Sequence, residues 1–146
     1  MIKSYRGRLA DGATDSIPLH TNDGKTGYKI IKFELMPGNP TNDNIEVIIQ
    51  VWKTAAAAAG ASAIIDFANN TLIAAGYIED NAGDDNTFHT DQVIFDQETF
   101  NQDIFVTSTA PTASTDGVNY YIELEQMDLT EDQALVAIVK NLRNEQ

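Results

Sequence analysis

The side chains able to do chemistry are few. Cysteine is absent, which excludes thiolate nucleophiles, thiolate zinc sites and disulfides together. The imidazoles are His20, in IPLHTNDG, and His89, in NTFHTDQ. Each sits among turn-forming polar residues, as a hydrogen-bonded loop histidine does. A zinc site wants three or four nitrogen or sulfur ligands, and neither histidine belongs to an H-E-x-x-H pair. Glu123 and Glu125 share one face of a predicted strand. Paired carboxylates can act as acid and base on a glycosidic bond, but Tyr120, Ile122 and Leu124 fill the alternate face. That leaves the glutamates as its solvent side. The loop Glu79–Asn86 (EDNAGDDN) offers the oxygen ligands calcium prefers without the D-x-[DN]-x-[DN]-G register. It reads as a hydrated surface loop, with calcium as the alternative. No G-x-S-x-G, Walker loop or G-x-G-x-x-G occurs, and the sequon Asn69-Asn70-Thr71 lacks a secretory context. No catalytic residue, cofactor site or metal ligand is assigned.

The elements that would hold any site repeat with period two. In Tyr28–Met36 (YKIIKFELM), Ile31, Phe33 and Leu35 alternate with Lys32 and Glu34. In Ile45–Lys53 (IEVIIQVWK), Ile45, Val47, Ile49 and Val51 line one side, and Glu46, Ile48, Gln50 and Trp52 the other. Such alternation marks strands with one face in a core. The intervening PGNPTNDN is a turn cluster, so the two are expected to be antiparallel neighbours. Further strands are expected at Ile2–Leu9, Ala63–Phe67, Thr71–Ile78, Gln92–Asp96, Asp103–Ser108 and Val118–Met127. The fold class is therefore all-β, a mainly antiparallel sandwich or jelly roll, spanning 1–146 as one domain. The alanine run 55–59 reads as a connection. Near the C-terminus the period changes: Thr130 and Gln133 fit a capping box, and Leu135, Ile138, Val139 and Leu142 follow at helical spacing. A helix over 131–143 is expected, its stripe packed on the home sheet or on a neighbouring subunit.

Charge is unevenly spread. The formal net charge is −13, yet seven of the nine Lys and Arg residues lie within 1–53, and none lies between Thr54 and Val139. Nucleic acid is an unsuitable partner, because phosphate contacts need cations. Acidic surface favours solubility, and a basic N-terminal third could equally face a partner. No apolar run nears the ~20 residues of a membrane span, so a membrane is not expected as partner. The N-terminus lacks the apolar run of a secretory signal. Trp52, on the outer side of its strand, is open to three readings: covered by sheet edge or helix, a subunit interface, or a sugar-stacking platform.

Four stretches carry a resemblance: Asp23–Pro37 (DGKTGYKIIKFELMP), Asn69–Ile78 (NNTLIAAGYI), Val93–Thr107 (VIFDQETFNQDIFVT) and Val118–Arg143 (VNYYIELEQMDLTEDQALVAIVKNLR). In order, they resemble small virion structural proteins of marine bacteriophages. The resemblance implies a β-sandwich subunit of a phage particle, as head decoration or cement protein or as part of neck or tail. It implies no catalytic residues and no cofactor. Its partners would be other virion proteins, with further copies of the chain in a homo-oligomer, assembled in the bacterial cytoplasm. Interface candidates are Lys3, Tyr5, Arg6 and Arg8 of a basic N-terminal arm, together with Trp52. The alternative is a tail or neck module that recognises a host surface glycan through Trp52, Tyr77 or Tyr120 and Tyr121. An enzyme resting on Glu123 and Glu125 is the third reading.

Overall fold

Alternating apolar runs become strands here because each must bury one face. The computed structural model describes residues 1–42, 44–81, 88–95, 98–111 and 116–144. Strands β1 (Ile2–Leu9), β2 (Thr14–Ile17), β3 (Thr26–Pro37) and β4 (Asn44–Trp52) precede a short helix α1 (Ala55–Ala59). Strands β5 (Leu72–Asn81), β6 (Phe88–Ile94), β7 (Ile104–Thr109) and β8 (Val118–Asp128) follow, and then helix α2 (Glu131–Asn144). Two antiparallel sheets form, ordered β1-β8-β3 and β2-β7-β4-β5-β6. The pairing is nested: first strand with eighth, second with seventh, fourth with fifth. The chain is an all-β sandwich with a C-terminal helix.

The core lies between the sheets. Ile45, Val47, Ile49 and Val51 of β4 are all buried, as their alternation predicts, in one cluster with Tyr28, Ile30 and Phe33 of β3 and Tyr120, Ile122 and Leu124 of β8. Each such aliphatic side chain contributes about 1.5–3 kcal/mol on full burial. The opposite side of β4 is covered too. Trp52 packs with Ala58, Leu72 and Ala75 beneath α1 and the segment after it. A central strand in a wide sheet is thus dry on both faces at this end, which accounts for the apolar side chains on its second face.

Several expectations fail for identifiable reasons. β3 and β4 are not neighbours: β3 pairs with β8, while β4 lies between β5 and β7 in the other sheet. The turn cluster between them is a crossing from sheet to sheet. Gly38 makes it possible, because a Cβ there would collide with the Asp116 carbonyl oxygen. A bulge at Ile30/Lys32 shifts the register of β3, so Ile30 turns inward and Ile31 is exposed. Ala63–Phe67 is not a strand. It crosses over sheet β2-β7-β4-β5-β6, where the Asp66 side chain takes the Ala68 amide at 2.9 Å and that of Asn69 the Thr71 amide at 3.0 Å. Local side-chain turns outcompete the β preference of Ile64 and Ile65. β2, only four residues long, has no apolar alternation to announce it. The alanine run 55–59 is helical, with Thr54 Oγ1 accepting from the Ala57 amide at 3.1 Å. The C-terminal helix follows the capping-box expectation closely. The Thr130 amide donates to Gln133 Oε1 at 2.9 Å, and the Gln133 amide to Thr130 Oγ1 at 3.2 Å.

Candidate functional site

The basic N-terminal segment is a strand rather than an arm. β1 is hydrogen-bonded along its whole length to β8, so its side chains alternate between faces. Lys3 and Tyr5 are half-buried; Lys3 Nζ lies 5.9 Å from the Tyr28 ring centroid, and Tyr5 packs against the core. Arg6 and Arg8 are exposed. Arg8 spends its guanidinium on the Asp116 carbonyl oxygen, at 3.0 and 2.6 Å. Arg6 lines a groove of about 780 Å³ with Glu34, Met36, Gln92, Asn119 and Tyr121. Trp52 is 6 % exposed and donates its indole N–H to Thr107 Oγ1 at 2.9 Å. It is covered from within the chain and offers no surface to a partner or a sugar.

The other chemistry-bearing residues are taken up locally. Glu123 accepts the Tyr121 hydroxyl at 2.8 Å, which is the main cause that holds this phenol above its ordinary value. Glu125 faces Lys29 at 3.7 Å. Both glutamates sit on the outer, charged face of their sheet. Tyr120 is buried with its hydroxyl donated to Asp15 at 2.8 Å; burial, then that hydrogen bond, raise its pKa well above the usual tyrosine value. The Tyr121 ring lies under Lys32, 5.9 Å from the centroid. His89 is an exposed residue of β6. His20 makes a partnership the sequence did not announce. Its Nδ1 and its amide, with the Leu19 amide, converge on Asp103 Oδ1 at 2.7, 3.0 and 2.8 Å. Partial burial pushes the Asp103 carboxyl up, but these hydrogen bonds outweigh it and hold its pKa below the ordinary value. Among the described residues no group of three or more His, Asp or Glu side chains could hold a metal. The stretch 82–86 of the acidic loop, on which the calcium reading turns, lies outside the described residues.

What stands out is α2. Ala134 is buried and Ile138 half-buried against the body; Ile138 Cδ1 would meet a Cβ on Gly24 at 3.1 Å. Buried Asn101 ties the helix down, its Nδ2 donating to the carbonyls of Gly24 at 2.9 Å and Ala134 at 3.3 Å. These anchors lie in the segments around Gly24 and Asn101 rather than on a strand face. The expected stripe is split as a result. Ile138 turns inward, while Leu135, Val136, Val139 and Leu142 remain 60 %, 55 %, 51 % and 54 % exposed. At 100° per residue these four fall on one continuous face. Asp132 stands at one end of that face and Arg143 at the other. No helix among the described residues is long and apolar enough to cross a membrane.

Beside the last turn of α2 lies a pocket of about 370 Å³, lined by Lys53, Phe67, Asn69, Asn70, Leu72, Phe95, Glu98, Lys140 and Arg143. Lys53 lines it with a side chain 7 % exposed and ion-paired to Glu98. No local pattern signals this site, since it joins residues far apart in the chain. No protein-family model matches this chain, and no curated protein matches it either.

Proposed function

We propose that this protein is a non-enzymatic structural subunit of a bacteriophage particle, a capsid decoration or cement protein, that assembles with further copies of itself through α2. The exposed apolar face of α2 carries this reading. Four large aliphatic side chains, all more than half exposed on one 14-residue helix, are costly to leave in water. The chosen occupant is a second copy, because the face is self-complementary in charge. Two such helices laid antiparallel about a two-fold axis between residues 137 and 138 set Val136 against the other copy's Val139. The same pairing sets Asp132 against the other copy's Arg143. Each contact occurs twice, as an isologous interface requires.

Two further observations support the wider reading. The nested pairing of first strand with eighth, second with seventh and fourth with fifth is that of a rolled-up antiparallel ribbon. Jelly rolls of this kind build many viral capsid proteins and also lectins. The sequence resemblance to phage virion proteins points the same way. A lattice of copies lets individually weak contacts act together. Two measurements test the proposal. Sedimentation equilibrium of the full chain should show association that grows with concentration; a monomer throughout the range overturns the docking surface. Mass spectrometry of purified particles encoded by the same genome should detect the chain in fixed proportion to the capsid protein. Its absence from the particle overturns the virion assignment.

A further inference from the structure

Arg143 apart, the pocket beside α2 is built of residues that assembly does not call for. Lys53, Lys140 and Arg143 meet there, three of the nine cations in a chain of net charge −13. They come from either end of a span that holds no Lys or Arg at all. Among the described lining residues one carboxylate, Glu98, stands against them, and Lys53 already engages it. Neither Lys140 nor Arg143 has an ion-pair partner among the described residues. The dipole of α2 favours cations in its last turn, which accounts for Arg143 but not for a buried lysine at the same place. Among the described lining residues cations outnumber carboxylates three to one, and concave walls concentrate the field of such a set.

The remaining lining says what kind of anion fits. Phe67 is 57 % exposed and stands edge-to-face on Phe95, with ring centroids 5.1 Å apart and planes at 88°. Its ring is therefore held as an apolar wall. Asn69 Oδ1 is committed to the Thr71 amide and hydroxyl, at 3.0 and 2.6 Å, which fixes the side chain and leaves its NH₂ as a donor. Asn70 adds a second amide. An apolar ring face, two amides and a cationic rim suit a pyranose that carries a carboxylate. The C–H face of the sugar would lie on Phe67, its hydroxyls on the two asparagines, and its carboxylate on Lys140 and the fork of Arg143. A volume of about 370 Å³ is that of a small-ligand site.

We infer that the cleft between Phe67 and the last turn of α2 binds an acidic sugar unit. This does not rest on the assembly reading, but the two share Arg143, which the antiparallel pairing sets against Asp132 of the other copy; titration at concentrations where sedimentation equilibrium shows a monomer keeps the two failures distinct.

The test is titration of the full chain with digalacturonate, followed by backbone NMR shifts and calorimetry, with neutral galactobiose and inorganic sulfate as comparisons. Digalacturonate should shift amides within 67–72 and 140–143 and bind more weakly as salt rises, while galactobiose leaves the spectrum unchanged. Lys140→Gln with Arg143→Gln removes two charged hydrogen-bond donors from exposed positions, so the fold should survive, as circular dichroism will check. Affinity should then fall about tenfold or more. Phe67→Ala should weaken the sugar but not sulfate. No digalacturonate binding, or binding indifferent to the double substitution, overturns the proposal. So does sulfate binding as tightly as digalacturonate with no effect of Phe67→Ala, which would make the cleft a general anion trap.

Discussion

Replacing Val139 with lysine separates the stability of the single chain from its association. Val139 is 51 % exposed, so about half of its transfer from water is already made. Full burial of a valine contributes roughly 1.5 kcal/mol. The proposed antiparallel pairing would complete that burial once on each copy, for about 1.5 kcal/mol in all. The introduced ammonium groups would stand against Val136 of the opposite copy and must be kept wet. Even with stems that snorkel to the rim, about 1.5 kcal/mol more is a reasonable floor for the two. The association constant should therefore fall roughly hundredfold. The single chain should change in the opposite direction. Lysine is the better helix former and sits near the negative end of the helix dipole, so the urea midpoint should stay or rise slightly. Sedimentation equilibrium and urea denaturation of the same two proteins read both quantities. Unchanged association of Val139→Lys refutes the antiparallel pairing, and loss of folding refutes the claim that Val139 is a surface residue.

Three other tests concern the scaffold. Trp52 is the sole tryptophan, so emission of the folded protein should be blue-shifted and move red on unfolding, and Trp52→Ala should cost about 3–5 kcal/mol; a folded-state spectrum like free indole would contradict its burial. Asp103 has a folded pKa below the ordinary 3.8, so its contribution is complete above that value and is lost as pH falls through the folded one. Asp103→Asn should lower the urea midpoint near neutrality and approach the unaltered protein in strong acid; a gap that ignores pH would refute the assignment. Asn101→Ala removes the side-chain donor that the Gly24 and Ala134 carbonyls share, at about 1–3 kcal/mol. Hydrogen exchange should quicken in α2 while β4 stays protected, and uniform quickening would show that the helix is not separately tethered.

The parts of the fold legible in the sequence were those set by near neighbours. The inward face of β4 and the capping box of α2 depend on residues two to four positions apart, and both formed as read. Partner choice between strands depends on how the sheets stack, and PGNPTNDN looks the same as a hairpin turn or as a crossing between sheets. The bulge that exposes Ile31 answers to β8, about ninety residues onward. The same limit hid the candidate sites. Leu135, Ile138, Val139 and Leu142 form one stripe on a helical wheel, and only the position of Gly24 and Asn101 divides it into an anchored and an open side. Lys53 merely ends the Ile45–Lys53 run in sequence, and only the fold brings it to one pocket with Phe67 and the last turn of α2.

The place of β8 in the middle of its sheet imposes a timetable. β1 and β3 have no ladder with each other and both pair with β8. During synthesis they must wait with bare edges until Val118–Asp128 has been made, while β4, β5, β6 and β7 can already ladder. Contacts so distant in sequence close slowly, and open edges in the interval invite wrong partners. α2 follows β8 after only Leu129 and Thr130, and its tether to Gly24 and Asn101 needs the finished sandwich. The apolar face of the helix thus reports completion: a stalled or misfolded copy cannot present it in the right place, and in the proposed assembly only chains that have already closed would be taken up.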